Sequence, residues 1–380
     1  MSYWQLYRQE LQAILADKAI LVTLFGGIVF YAFMYPLPYL HEVATEQAVV
    51  VVDNDSSSAS RQIIRHADAS PKVEIVGQAA SLSEAEQWIT DGRAHGVMVI
   101  PEGFRRNLLL AHGSTLAYGG DANFFLVYSA IAEGLITVDL DSAKRLQVLG
   151  MLARGENPKK AELTVNAIKL NSVPAFNPSL GYMSYIVPAV MVLVLHQTLL
   201  IGSGILGAGQ WRHAGYWQTQ KPLTLVLSRV MAFFTLYLIF ASFYLGYCHY
   251  HYRLTVQGHL HEVMLMMLPF LLASSAFGIA VSCLYLRRDM PTQIVLLISM
   301  PILFASGLIW PLELIPQAIV WLSQLIPATP GIVGMVKLNQ MAAPWHSVFY
   351  EWLQLWLLLV VYLLIAVKGV SYRQKQFSEH

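Results

Sequence analysis

Seven stretches of this chain are apolar, almost free of charged side chains and long enough to cross a bilayer. They are Ala19–Leu40, Gly181–Ala208, Leu223–Cys248, Val263–Leu286, Met290–Trp310, Leu314–Val336 and Ser347–Val367. About 20 apolar residues in a helix match the hydrocarbon thickness. Inside hydrocarbon every backbone polar group must find its partner within the protein, which favours helices. Charged residues make up only 12% of the chain and hydrophobic ones 56%, against about 25% charged in soluble domains. The chain therefore reads as an α-helical polytopic membrane protein. Its net charge of +1 gives no reason to expect nucleic acid. The bilayer is its first partner.

One of the seven stretches is not a simple span. From Ala305 to Gly331 the sequence is apolar yet interrupted by Pro311, Pro316, Pro327 and Pro330. Proline removes a backbone donor and clashes with the preceding helical turn. A broken backbone survives at membrane depth only inside protein or beside a wet cavity. Loop charge leads to the same place. Arg8 and Lys18 precede the first run, Arg212 and Lys221 follow the second, Arg287 and Arg288 follow the fourth, and Lys368, Arg373 and Lys375 follow the last. Positive charge in short loops marks the cytoplasmic side. These groups share one side only if there are six transmembrane helices. Residues 311–336 must then enter and leave by the outer face as a re-entrant hairpin. Trp310, Pro311, Glu313, Pro316, Pro327 and Pro330 are its candidate gate residues, with Glu313 at the outer boundary and both termini cytoplasmic.

Between the first two runs the sequence changes character. Val49–Val52, Val73–Val76, Gly96–Ile100 and Thr115–Tyr118 read as strands. Helices alternate with them: one from the serines after Asn54, one with Ser83 and Glu86 as its capping pair, and one starting at Pro101. Such alternation implies a small α/β domain with at least part of its sheet parallel. A long helix follows from Ala122, with Phe124, Tyr128, Ile131, Leu135, Val138, Leu146, Leu149 and Leu152 on one stripe. The resulting division is an amphipathic surface helix at 1–18, a first span at 19–41, an extracytoplasmic α/β domain at 42–178, a five-helix membrane domain at 179–370 and a tail at 371–380. The first helix should bury Trp4, Tyr7, Leu11 and Ile14 against the membrane surface.

The chemistry is sparse. No G-x-x-x-x-G-K-[ST] phosphate loop occurs, since the glycine cluster Gly202–Gly209 lacks the lysine. His196 stands in mid-run and reads as a packing histidine, while Glu313 and Glu351 stand near interfaces. Ion-coupled carriers usually keep ionisable groups inside the bilayer. Energy for uphill transport would have to come from a partner. The histidines of the 249–262 loop suit an interfacial belt better than a zinc site, and Cys248 and Cys283 suit no disulfide. No catalytic set, metal site or cofactor is expected. The inward loop carries Gln210, Trp211, Arg212, His213, Tyr216, Trp217 and Lys221, and its aromatic and arginine side chains are typical docking anchors.

Three pieces in order carry a family resemblance: VVVVDNDSSSASRQII at Val49–Ile64, GVMVIPEGF at Gly96–Phe104, and SGLIWPLELIPQAIVWLSQLIPATP at Ser306–Pro330. With this layout the chain resembles the type-2 ABC transporter permeases, in the subgroup with a large outer domain between spans one and two. The resemblance implies a homodimer or a paired heterodimer that binds a separate cytosolic ABC ATPase. It implies outward movement of drugs, lipids or other amphipathic molecules across a bacterial inner membrane. In bacteria with two membranes such permeases often work with a periplasmic adaptor and an outer-membrane channel. The surface helix and the 210–221 loop would be the coupling elements. Relatives carry acidic residues in that loop; here Gln210-Trp211-Arg212-His213 stands instead. A competing reading is a sensor or scaffold that binds a ligand or envelope protein through its outer domain.

Overall fold

The computed structural model describes residues 1–40, 44–110, 112–167, 175–177, 181–254 and 256–378, so the domain edges expected at 41/42 and 178/179 lie outside the described residues. The chain divides into two units, Met1–Glu42 with Pro174–His380, and Val43–Val173.

Helix α1 (Tyr3–Ala16) starts on a reciprocal cap in which Ser2 and Gln5 side chains bond each other's backbone N–H. Its protein-facing stripe is Leu6, Glu10 and Ile14, with Tyr7 and Leu11 partly buried beside it and Trp4 69% exposed. The stripe places a carboxylate inside the unit. Asp17 then caps α2 (Lys18–Tyr39) by accepting from the Ala19 and Ile20 amides.

In the second unit, β1 (Gln47–Asp53) is followed by α3 (Ser58–Asp68), β2 (Val73–Gln78), α4 (Leu82–Thr90), β3 (Gly96–Ile100), α5 (Phe104–Leu109), β4 (Ala117–Gly120), α6 (Phe125–Ala153) and α7 (Pro158–Val165). The sheet order is β2-β1-β3-β4, with β1 parallel to both neighbours and β3 antiparallel to β4. The centre of β1, Val49–Val52, is a valine run because both its faces are covered. Val49 and Val51 pack with Ile63, Met98 and Ile131, while Val50 and Val52 pack with Ala85 and Val97. The long stripe of α6 is core only as far as Val138; Leu149 is 60% exposed. The helix expected at Pro101 begins at Phe104, after Gly103 at φ +72°.

The cap of α4 also differs from Ser83 and Glu86. Ser81 Oγ accepts from the Glu84 amide at 3.2 Å, and Glu84 Oε2 accepts from the Ala80 amide at 2.8 Å. Two serines at alternate positions offer the same local motif, and the extended backbone at Ser81 decides between them. Ser81→Ala should therefore cost about 1 kcal/mol and weaken hydrogen-exchange protection of α4 in the full chain, whereas Ser83→Ala should leave both unchanged.

The first unit continues with α8 (Tyr182–Gln210), α9 (Pro222–His251), α10 (Leu260–Ser282), α11 (Met290–Ala305), α12 (Gln317–Gln324), α13 (Ala328–Asn339) and α14 (Phe349–Ser378). Among the described residues α2, α8, α9, α10 and α14 are long and apolar enough to cross a membrane. The chain is a multi-pass membrane protein. α8 is its central helix, buried along nearly its whole length. The glycine cluster there is a packing surface. A Cβ on Gly202, Gly204 or Gly207 would come within 2.5 Å of Leu24, 2.6 Å of Pro291 or 2.6 Å of Ser282. Small residues let membrane helices approach this closely. α11 stops at Ala305 rather than Trp310, turned by Gly307 at φ +83°. At 16 residues it rises about 24 Å.

Candidate functional site

Glu10 and Arg229 meet inside the first unit. Arg229 Nε donates to Glu10 Oε2 at 2.8 Å and Nη2 donates to Oε1 at 2.9 Å, with the two side chains 1% and 0% exposed. This fork matches guanidinium to carboxylate on both oxygens. Tyr216 Oη donates to Glu10 Oε1 at 3.0 Å, Gln210 Nε2 donates to Tyr216 Oη at 3.0 Å, and Arg229 Nη2 also donates to Gln210 Oε1. Burial, and then the negative charge of Glu10, push the Tyr216 phenol above its usual range and keep it a donor. The Arg229 guanidinium carbon lies 5.6 Å from the Trp211 ring centroid, within reach of a cation–π attraction. A charge pair this deep is tolerable only because nearly every polar atom in it is answered.

The same end of the unit gathers other helix ends. Trp211 Nε1 donates to the Ser282 carbonyl at 3.0 Å, and Arg373 Nε donates to the Cys283 carbonyl at 2.8 Å. Gln374 Nε2 donates to the carbonyls of Trp217 at 2.6 Å and Gln220 at 2.9 Å. Arg288 forms an ion pair with Asp17. The end of α8, the start of α9, the end of α10 and the end of α14 thus meet α1 at one level.

The opposite level is defined by the start of α8. Tyr185 Oη donates to the Leu308 carbonyl, and Gln340 Nε2 donates to the carbonyls of Ser184 at 2.8 Å and Tyr185 at 3.0 Å. Leu308 and Gln340 therefore flank one point, and the chain between them goes out and comes back. It does so through α12 and α13, bent by 89° to each other. The bend frees carbonyls at the end of α12, which α14 answers. Gln354 Nε2 donates to the Gln324 carbonyl at 2.7 Å, and Tyr362 Oη donates to the Leu325 carbonyl at 2.6 Å. Tyr362 is about 20 Å along α14 from Phe349, so the bend packs against the middle of the apolar run of α14.

Residues 18–368 match the family described as ABC-2 family transporter protein. The chain belongs to that family. A curated relative, the ABC transporter G family member 20 of Dictyostelium discoideum, is 21% identical over 308 residues, covering 78% of this chain and 41% of the relative. This ABC-2 chain therefore spans about two-fifths of the length of the curated relative it matches.

In this ABC-2 family member the residues singled out from the 210–221 loop separate into two groups. Trp211 and Trp217, 9% and 1% exposed, are packed inside the unit; their rings meet edge to face at 5.0 Å, and Trp217 packs edge-on against Phe377. Gln210 and Tyr216 belong to the buried polar cluster, while Arg212, His213 and Lys221 are exposed. Of the hairpin residues, Trp310, Pro311, Glu313 and Pro316 are exposed, and Pro327 and Pro330 are buried. His196 is buried, with Nδ1 at 3.0 Å from Ser274 Oγ and its ring stacked on Phe277. At the end of α9, His249 bridges the Tyr244 carbonyl and Asn339. Among the described residues no three His, Cys, Asp or Glu side chains converge to hold a metal. Sequence reasoning missed both Glu10 and Arg229. The available signal was the lone arginine in the otherwise charge-free run Leu223–Cys248, together with Glu10 at four-residue spacing from Leu6 and Ile14.

Proposed function

We propose that the chain is the membrane subunit of an ATP-driven exporter that moves amphipathic molecules outward, using a separate cytosolic ATPase. Two such subunits would form the path, with six spans each, the α/β unit on the outer side, both termini cytoplasmic and the 308–340 hairpin at the outer gate. The observation that carries this reading is the Glu10–Arg229–Tyr216 cluster. It makes α1, the 210–221 loop and the starts and ends of the spans one mechanical block at the positively charged end. A push from a nucleotide-dependent partner on the exposed Arg212 and His213 would reach four spanning helices without slack.

The test is reconstitution of the chain with its ATPase in liposomes. Arg212→Ala with His213→Ala is expected to weaken ATPase binding by about 30-fold, the equivalent of one interface hot spot near 2 kcal/mol, with thermal unfolding unchanged. Equal affinity would remove the docking assignment. A second measurement checks the layout: cysteines at Glu313 and Met341 should both react with a membrane-impermeant thiol reagent from outside. Labelling of Met341→Cys from the inner side only would make the hairpin a true crossing. Met341 serves better than Lys337, which is engaged with Glu351 at 2.6 Å.

The sensor or scaffold reading has one observation in its favour. In the second unit a groove of about 470 Å³ lies between α3, α5 and α6, floored by Ile63, Phe104, Leu108 and Leu146. Ligand binding there, with no substrate movement by the reconstituted chain and its ATPase, would favour it.

A further inference from the structure

Where the first turn of α9 meets the end of α14, an open cleft of about 570 Å³ carries three lysines, Lys221, Lys368 and Lys375. No acidic side chain lines it. Among the described residues none of the three lysines has an ion-pair partner. Lys368 and Lys375 are seven residues apart, two helical turns, so they share a face of α14. Between them Tyr372 is 61% exposed, and across the cleft Leu223 is 56% exposed. Val367 completes the apolar side. Lys368 is the first charge after the apolar run that ends at Val367. The cleft is therefore apolar on one side and cationic on the other, at the point where the apolar run of α14 gives way to charge.

We propose that this cleft binds the headgroup of an anionic phospholipid, with the three lysines on the phosphate and Leu223 and Val367 against the upper acyl chain. Basic clefts between membrane helices at the cytoplasmic boundary suit such headgroups. A free phosphate would satisfy the lysines and leave the apolar wall without a purpose. Assignment to the cytosolic leaflet rests on the orientation proposed above; the headgroup assignment does not. Lys221 accordingly belongs to the lipid cleft rather than to the docking loop.

The full chain is reconstituted in nanodiscs that contain both phosphatidylcholine and phosphatidylglycerol, then released and weighed by native mass spectrometry. Selective retention of phosphatidylglycerol is expected. Each lysine-to-glutamine change should lower that retention about fivefold, so Lys221→Gln, Lys368→Gln and Lys375→Gln together should lower it on the order of a hundredfold. The corresponding three arginine variants should keep it, and Lys159→Gln with Lys160→Gln should not alter it. Because the three lysines are exposed, the glutamine variant should unfold at the same temperature in phosphatidylcholine alone. Undiminished retention in that variant overturns the proposal. So does displacement of the lipid by inorganic phosphate. So does protection of a Ser371→Cys thiol by the ATPase but not by phosphatidylglycerol, which would assign the cleft to a protein partner. Because retention is read without ATPase or substrate, it stands or fails separately from export.

Discussion

Arg229→Met is expected to destabilise the chain by about 3–5 kcal/mol, the usual cost of removing one partner from a buried ion pair. Glu10 would keep a carboxylate at 0% exposure with only the Tyr216 hydroxyl to answer it. Glu10→Leu should cost a similar amount, because it strands the guanidinium beside Gln210. The double variant Glu10→Leu with Arg229→Met should recover most of the loss, since an apolar pair of similar volume replaces both charges. Reversible unfolding in detergent, arranged as a double-mutant cycle, reads the coupling directly. Equal damage from the single and double variants would mean that the charges are not energetically paired. Transport should separate from stability in this series. The double variant is expected to fold and to bind the proposed ATPase partner, yet to transmit less of its motion. Its apolar contact is non-directional, whereas the fork holds α1 in one register.

Gly331→Ala is expected to be the costlier of two glycine substitutions on α13. A Cβ there would lie 2.4 Å from Phe270 Cδ2 and 2.7 Å from Cε2, and Phe270 is fully buried. A ring packed on all sides has nowhere to withdraw. Overpacking of this kind costs about 1–3 kcal/mol, more than the ~1 kcal/mol that alanine returns through helix propensity. At Gly334 the Cβ would meet Met266 Cε at 2.1 Å and Sδ at 3.2 Å, the far end of a flexible side chain that can turn aside. Gly334→Ala should be close to neutral. Thermal unfolding checks the order, and the labelling rate of Glu313→Cys reports whether the hairpin moves. If the two substitutions cost the same, α13 is free to shift as a body and the close fit against α10 is not what holds it.

What the order of residues determined by itself was whatever depends on near neighbours. Charge-free runs of membrane length, the valines of β1, the prolines of the hairpin and the loop lysines and arginines each act through local solvation or local backbone geometry. They sufficed for a multi-pass helical chain, a mixed α/β unit and a broken apolar segment. Counting charges led to the expectation of an out-and-back hairpin; that Leu308 and Gln340 both bond to the start of α8 came only from the fold. Partners far apart in sequence were decided only by the tertiary structure. Glu10 and Arg229 are separated by 219 residues, and a glutamate on an amphipathic helix looks solvent-facing until the arginine that neutralises it is placed. Trp211 and Trp217 looked like docking anchors because aromatic residues suit an interface and a helix-end core equally well. Which of the two applies depends on whether Phe377 and the Ser282 carbonyl are near, and no local property carries that information.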